Sequence, residues 1–252
     1  MRFLSAMRLA ACLFGLLLGS PVLAREWLAV GAQFPGVFER TTAGEYRGLA
    51  PDLLRAAMGR FGDTVRFERH PWLRAQQMVE QGHADILIGP YWTAEREKRF
   101  AYGRHPFYQD RIVFYARLDT KTGWKGDLAA LSDREIAVVR GWTYGERFEN
   151  ARPQLDLVMV GSVENGLRML SIGRVGLLAS NERNTAPVLT SLKLNTHIAR
   201  LEPIIDTQRG YFAFTRDTTG DALRIRFDRA FDALVADGTL ARLAKKHGVE
   251  TP

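Results

Sequence analysis

Cysteine is all but missing from the 252-residue sequence: the only one, Cys12, sits in an apolar N-terminal run, so the rest of the chain can form neither an internal disulfide nor a thiolate site. Packing alone must hold the fold. Histidine is scarce, at five residues, and none of them fall at metal-ligand spacing, so no metal and no cofactor is expected. No Gly-x-Ser-x-Gly elbow and no Ser-His-Asp order is present, which leaves nucleophilic hydrolysis without a signature. Beyond residue 24 there is no run approaching the ~20 apolar residues that a membrane-spanning helix needs.

The N-terminus does carry a pattern. Arg2 and Arg8 precede an apolar stretch from Leu9 to Leu18, Gly19-Ser20-Pro21 breaks it, and Val22-Leu23-Ala24 ends in small residues. Residues 1–24 are therefore expected to be a signal peptide cleaved after Ala24, with the remainder exported to the periplasm. Leu9-Ala10-Ala11-Cys12 imitates a lipoprotein box, but the apolar segment upstream of it is too short, so Cys12 reads as part of the run. The formal charge of +7 falls by two when Arg2 and Arg8 leave. The basic residues alternate with acids, as in Glu95-Arg96-Glu97-Lys98-Arg99, and no clustered basic face favours nucleic acid.

Strand and helix signals alternate from Trp27 onward, the pattern of an α/β fold with mainly parallel sheets and helices on both faces. Strands are expected at 27–30, 65–67 and 85–89, with helices from Pro51 and from Trp72 to Gln81. Gly89 to Trp92 reads as a loop. A strand at 111–117 leads into the polar stretch 119–126, after which strands at 136–139, 158–160 and 175–178 and a helix at 163–172 repeat the pattern. Tyr211 to Phe214 reads as a strand returning to the first unit, followed by helices at 223–234 and 240–246. Two lobes joined by a hinge of crossing strands result, with lobe one at 25–117 and 207–252 and lobe two at 118–206. A cleft between lobes is a favoured ligand position.

Several segments, in order and spacing, carry a resemblance. Gly82-His83-Ala84-Asp85-Ile86, Thr93-Ala94-Glu95-Arg96, Phe100-Ala101-Tyr102 and Pro106-Phe107-Tyr108 are similar to a Gly-x-x-Asp, Thr-x-x-Arg, Phe-Ser-x-Pro-Tyr series. Gly48 to Leu53, Arg140 to Gly145 and Asp237 to Leu240 add to it. Together they resemble the family-3 extracellular solute-binding proteins, the polar amino-acid-binding components of ABC importers. The resemblance implies the type II periplasmic binding protein fold, a small carboxylate-bearing ligand, a membrane permease as partner, a monomeric chain and no catalysis of its own.

It also implies roles for single residues. Arg96 would hold the ligand carboxylate, because a guanidinium offers a rigid fork of donors, and Thr93 would start its helix. Thr143 would meet the same carboxylate when the lobes close. Trp72 and Phe34 would flank the ligand body, or else pack as core; Tyr91 and Trp92 would face the ligand or pack the lobe. Arg74 is a candidate second anion contact. Where the family usually carries an aspartate for the ligand ammonium stands Asn181, followed by Glu182, and an asparagine brings no charge. Either Glu182 takes over, or the ligand is not an ordinary amino acid and a small acid without an ammonium group becomes a candidate, or both residues are solvated loop positions. Two rival readings keep the fold: a periplasmic dehydratase-like enzyme, for which Glu182, His70 and His105 are the available acid–base groups, and a ligand sensor for a separate signalling protein.

Overall fold

The computed structural model describes residues 24–252. The signal-peptide expectation for the preceding residues lies outside that range. Among the described residues no helix is long and apolar enough to cross a membrane.

The first unit runs β1 (Glu26–Gly31), a small hairpin of β2 (Glu39–Arg40) and β3 (Tyr46–Arg47), α1 (Leu49–Gly59), β4 (Thr64–Arg69), α2 (Trp72–Glu80), β5 (Ile86–Tyr91), α3 (Ala94–Arg99) and β6 (Ala101–Tyr102). Strand β7 (Tyr108–Arg117) crosses to the second unit. That unit comprises β8 (Glu135–Val139), α4 (Glu146–Ala151), β9 (Asp156–Val160), α5 (Val163–Ser171), β10 (Leu177–Asn181), α6 (Glu182–Ser191) and β11 (Ile198–Arg200). Strand β12 (Asp206–Phe214) returns, and α7 (Thr218–Ala236) and α8 (Thr239–His247) close the chain onto the first unit.

The main sheet follows the path β4-β1-β5-β12-β7-β10-β8-β9. Pairing is parallel within each lobe, at β1–β4, β1–β5, β10–β8 and β8–β9. The antiparallel pairs of this sheet all involve the crossing strands β7 and β12. Those two strands pair with each other from Tyr108↔Gly210 to Ile112↔Asp206. Parallel strands need long crossovers, and helices supply them, which is why each lobe is a sheet sandwiched by helices.

Period-two alternation sorts side chains between the two faces. In lobe one, Ala29, Ile86, Ile88, Phe212 and Phe214 face α1 and α7, while Val30, Leu87 and Ala213 meet Ala75 and Val79 of α2. In lobe two, Ala137, Val139 and Leu178 pack against Leu167 and Leu170 of α5, and Ile136, Val138 and Leu177 turn to the opposite face.

Two stretches differ from expectation. Gly89 and Pro90 do not open a loop: β5 continues through them to Tyr91, which pairs with Gly210 of β12. Asn181 and Glu182 are not in a loop either, since β10 runs to Asn181 and α6 starts at Glu182 despite Pro187 inside it. Gly210 is required by close approach, because a Cβ there would lie 1.9 Å from the Tyr108 ring.

Candidate ligand cleft between the lobes

Three segments converge between the lobes: the end of β5 leading into α3, the turn after β8, and the β10–α6 junction. Thr93 caps α3, its Oγ1 accepting from the Arg96 N–H at 3.1 Å, which fixes Arg96 in the first turn. From there the Arg96 side chain enters the cleft, leaving the residue 7% exposed. Its Nη1 donates to the Tyr91 carbonyl at 3.0 Å and its Nη2 to the Gly141 carbonyl of the other lobe at 2.8 Å. Among the described residues no carboxylate pairs with this guanidinium. Burial lowers its pKa, as expected of a cation taken out of water.

Trp72 opens α2 and donates its Nε1 to the same Gly141 carbonyl at 2.9 Å. Its ring stands 5.7 Å from the Arg96 guanidinium carbon and meets Phe34 edge-on at 5.6 Å. Gly141 has a φ of 78°, and a Cβ there would lie 2.5 Å from the Leu73 side chain, so glycine lets the lobes touch at this point. Thr143 is buried beyond it, with its hydroxyl donating to Glu149 Oε1 at 3.2 Å beside the Tyr144 N–H at 3.0 Å.

Behind these groups lies a polar network. Tyr91 donates its phenol to Asp110 Oδ2 at 2.6 Å and accepts from Asn181 Nδ2 at 3.0 Å. Burial, then the Asp110 charge, pushes the Tyr91 pKa well up, so the phenol stays protonated. Asn181 caps α6, its Oδ1 accepting from the Asn184 N–H at 2.8 Å. Arg183 binds Asp110 with two bonds, Nε to Oδ1 at 2.9 Å and Nη2 to Oδ2 at 2.6 Å. Its Nη1 donates to the Pro35 carbonyl at 2.8 Å and to Asn184 Oδ1 at 3.3 Å. Burial works against the Arg183 charge, but Asp110 outweighs it and raises the pKa.

Phe34, Trp72, Gly89, Tyr91, Arg96, Trp142, Thr143, Asn181, Arg183 and Asn184 line the pocket so formed. The void measures about 20 Å³ and opens beside a groove of about 1000 Å³ that shares Phe34, Trp72, Trp142 and Asn184. The void has room for little more than one water. A larger ligand must therefore displace the Gly141 carbonyl or part the lobes.

Of the residues expected at the site, Arg96, Thr143, Trp72, Phe34, Tyr91 and Asn181 line this pocket. Three do not. Trp92 is 48% exposed, Arg74 is exposed on α2, and Glu182 turns to Arg200 and Arg111. Arg183, Asp110 and Asn184 went unread in the sequence. A signal for Asp110 was available: by period-two alternation it shares a face of β7 with Tyr108, Ile112, Phe114 and Ala116, and it is the one acid on that apolar face. Among the described residues, no group of His, Cys, Asp or Glu could hold a metal ion.

Two sandwiched lobes, joined by paired crossing strands and enclosing a pocket of aromatic rings around a buried guanidinium, define a periplasmic-binding-protein architecture. The chain belongs to the bacterial extracellular solute-binding proteins, family 3, whose profile matches residues 28–250. Solved structures share the fold. A histidine kinase sensor domain with similarity to periplasmic binding proteins superposes with a TM-score of 0.80 at 22% identity, covering 91% of this chain and 99% of its own. EhuB in complex with hydroxyectoine gives 0.75 at 20% identity, covering 89% of each chain. An ancestral arginine-binding protein bound to arginine gives 0.71 at 17% identity, covering 88% of this chain and 97% of its own. No curated protein matches the sequence.

Proposed function

We propose that the protein captures a small carboxylate-bearing ligand between lobe one, 25–117 with 207–252, and lobe two, 118–206, and delivers it as an exported monomer to an ABC permease. One observation carries this reading: a buried guanidinium, Arg96, faces the other lobe with only backbone carbonyls as partners. A buried cation without a counter-charge is costly, and a ligand carboxylate on its two N–H groups would supply both charge and geometry. Trp72 and Phe34 would then flank the ligand body, and Thr143 would close on it from lobe two. The permease partner is supported by family membership and by a similar fold in the substrate-binding protein of an amino acid ABC transporter.

Calorimetry against a panel of amino, oxo, hydroxy and aromatic acids tests the reading, since a selective ligand also raises the melting temperature by mass action. Arg96→Ala is expected to weaken binding of whichever acid responds by ~2 kcal/mol or more, roughly 30-fold. Unchanged affinity in that variant would remove Arg96 from the role.

A second reading keeps the ligand and changes the partner. The likeness to a histidine kinase sensor domain, over nearly that whole domain, favours a protein that reports its ligand to a separate signalling protein. Pull-down of a permease or of a sensor kinase by the ligand-loaded protein separates the two. Catalysis is not proposed: His70 pairs with Glu68, His105 with Asp232, and neither lines the inner pocket.

A further inference from the structure

The hydrogen-bonding inventory of the cleft is lopsided. An α-ammonium would need acceptors, preferably charged ones, and each carboxylate or amide oxygen at hand already holds at least one donor of the chain's own. Asp110 gives Oδ1 to Arg183 Nε and Oδ2 to both Arg183 Nη2 and the Tyr91 phenol. Asn181 Oδ1 takes the Asn184 N–H, Asn184 Oδ1 takes Arg183 Nη1, and the Tyr91 carbonyl takes both Arg96 Nη1 and the Tyr102 phenol. Glu182, the remaining acid near the junction, is turned away to Arg200 and Arg111.

Donors remain. A guanidinium has five N–H groups. Four of those on Arg183 are used, and the second N–H of Nη2 has no acceptor among the described residues. Arg183 lines the pocket together with Arg96. In charge terms Asp110 cancels Arg183 and leaves Arg96 over, so the site is complementary to one negative charge and hostile to a positive one.

We infer that Arg183 sets the ligand class: the site takes a small monocarboxylate without an ammonium group, an oxo acid or a plain acid, and rejects the amino acid of the same skeleton. Arg183 stands two residues after Asn181, on the first turn of α6, and lines the same pocket as Arg96. In place of an ammonium, an oxo or ether-like oxygen can accept the spare Arg183 N–H, and an unsubstituted carbon leaves it to water. The inference rests on the carboxylate reading above and narrows it.

The test is a set of matched pairs titrated into the purified protein by calorimetry: pyruvate with alanine, 4-methyl-2-oxopentanoate with leucine, and phenylpyruvate and 3-phenylpropionate with phenylalanine. At least one acid lacking the amino group is expected to bind, with its amino partner tenfold or more weaker. Tighter binding of an amino acid than of its partner would overturn the inference and leave the carboxylate reading standing. Silence from every acid would overturn both. The variant arm is Arg183→Gln combined with Asp110→Asn, which removes cation and anion together and so leaves no buried charge unpaired. Discrimination within the pair should then shrink to about threefold. A merely structural role would weaken both members alike, and unchanged discrimination would deny Arg183 the part. Should the double variant not fold, Arg183→Lys keeps a cation at the position and should keep the exclusion; its loss there would overturn the inference.

Discussion

Arg183 and Asp110 lie side by side in two parallel hydrogen bonds although 73 residues separate them in sequence. The pair joins α6 to the crossing strand β7, and its two side chains are only 14% and 2% exposed. Removing one partner of such a pair leaves the other charge buried and alone. Arg183→Ala is therefore expected to cost about 3–5 kcal/mol. For a chain of this size that is a drop of roughly 10 °C in melting temperature. The neutralised double variant should melt closer to wild type, and differential scanning calorimetry of the two compares them directly.

Gly141→Ala separates two effects at the lobe contact. The positive φ strains any L side chain by about 1–3 kcal/mol in the folded protein, whether the lobes touch or part. The clash with Leu73 exists only where the lobes touch. Melting temperature should fall by the first, while the second unseats the Gly141 carbonyl from Trp72 and Arg96, so affinity for the responding acid should rise. Adding Leu73→Ala is expected to bring the affinity back to the wild-type value while leaving the melting temperature low.

Gln76, on α2, is buried at 2% exposure, and its Nε2 has no hydrogen-bond partner among the described residues. An unpaired buried amide costs ~1–3 kcal/mol, and an apolar side chain of like shape does not carry that cost. Gln76→Met should raise the melting temperature by a few degrees, measured in the same calorimeter.

Asp52 ties α1 to α8, receiving Lys246 Nζ at 2.8 Å and facing His247 Nε2 at 2.8 Å. Burial alone would raise its pKa, but the bonds to Lys246 and His247 outweigh it and bring the pKa below the usual value. A carboxylate depressed in the folded state contributes stability above its unfolded pKa, near 4, and loses it as pH falls through the lower folded value. Asp52→Asn should thus melt below wild type at pH 6, with the gap closing as pH falls below the ordinary carboxylate range and Asp52 itself protonates.

Much of this molecule was legible because apolar periodicity dictates it. The strands at 27–30, 136–139 and 211–214, and the two C-terminal helices, fall where alternation and helical spacing put them. Gly89 and Pro90 misled, since they punctuate most strands, yet β5 survives them through its pairing with β12. Helix α6 was hidden by a polar start and an internal Pro187, although Asn181 is a good capping residue. Arg96 could be picked out by its motif. Arg183 could not, because an arginine in a polar stretch reads as solvated until Asp110 is brought to it by the fold.

The Gly141 carbonyl, which holds Trp72 and Arg96 at once, makes the chain a competitor for its own binding site. On the carboxylate reading proposed above, an arriving acid would have to win Arg96 from a tethered rival whose effective concentration never changes. Apparent affinity would then be the affinity of the contacts alone multiplied by the fraction of time the rival is unseated. The strength of one internal contact would then tune how much solute the protein needs, without any change in the groups that touch the solute.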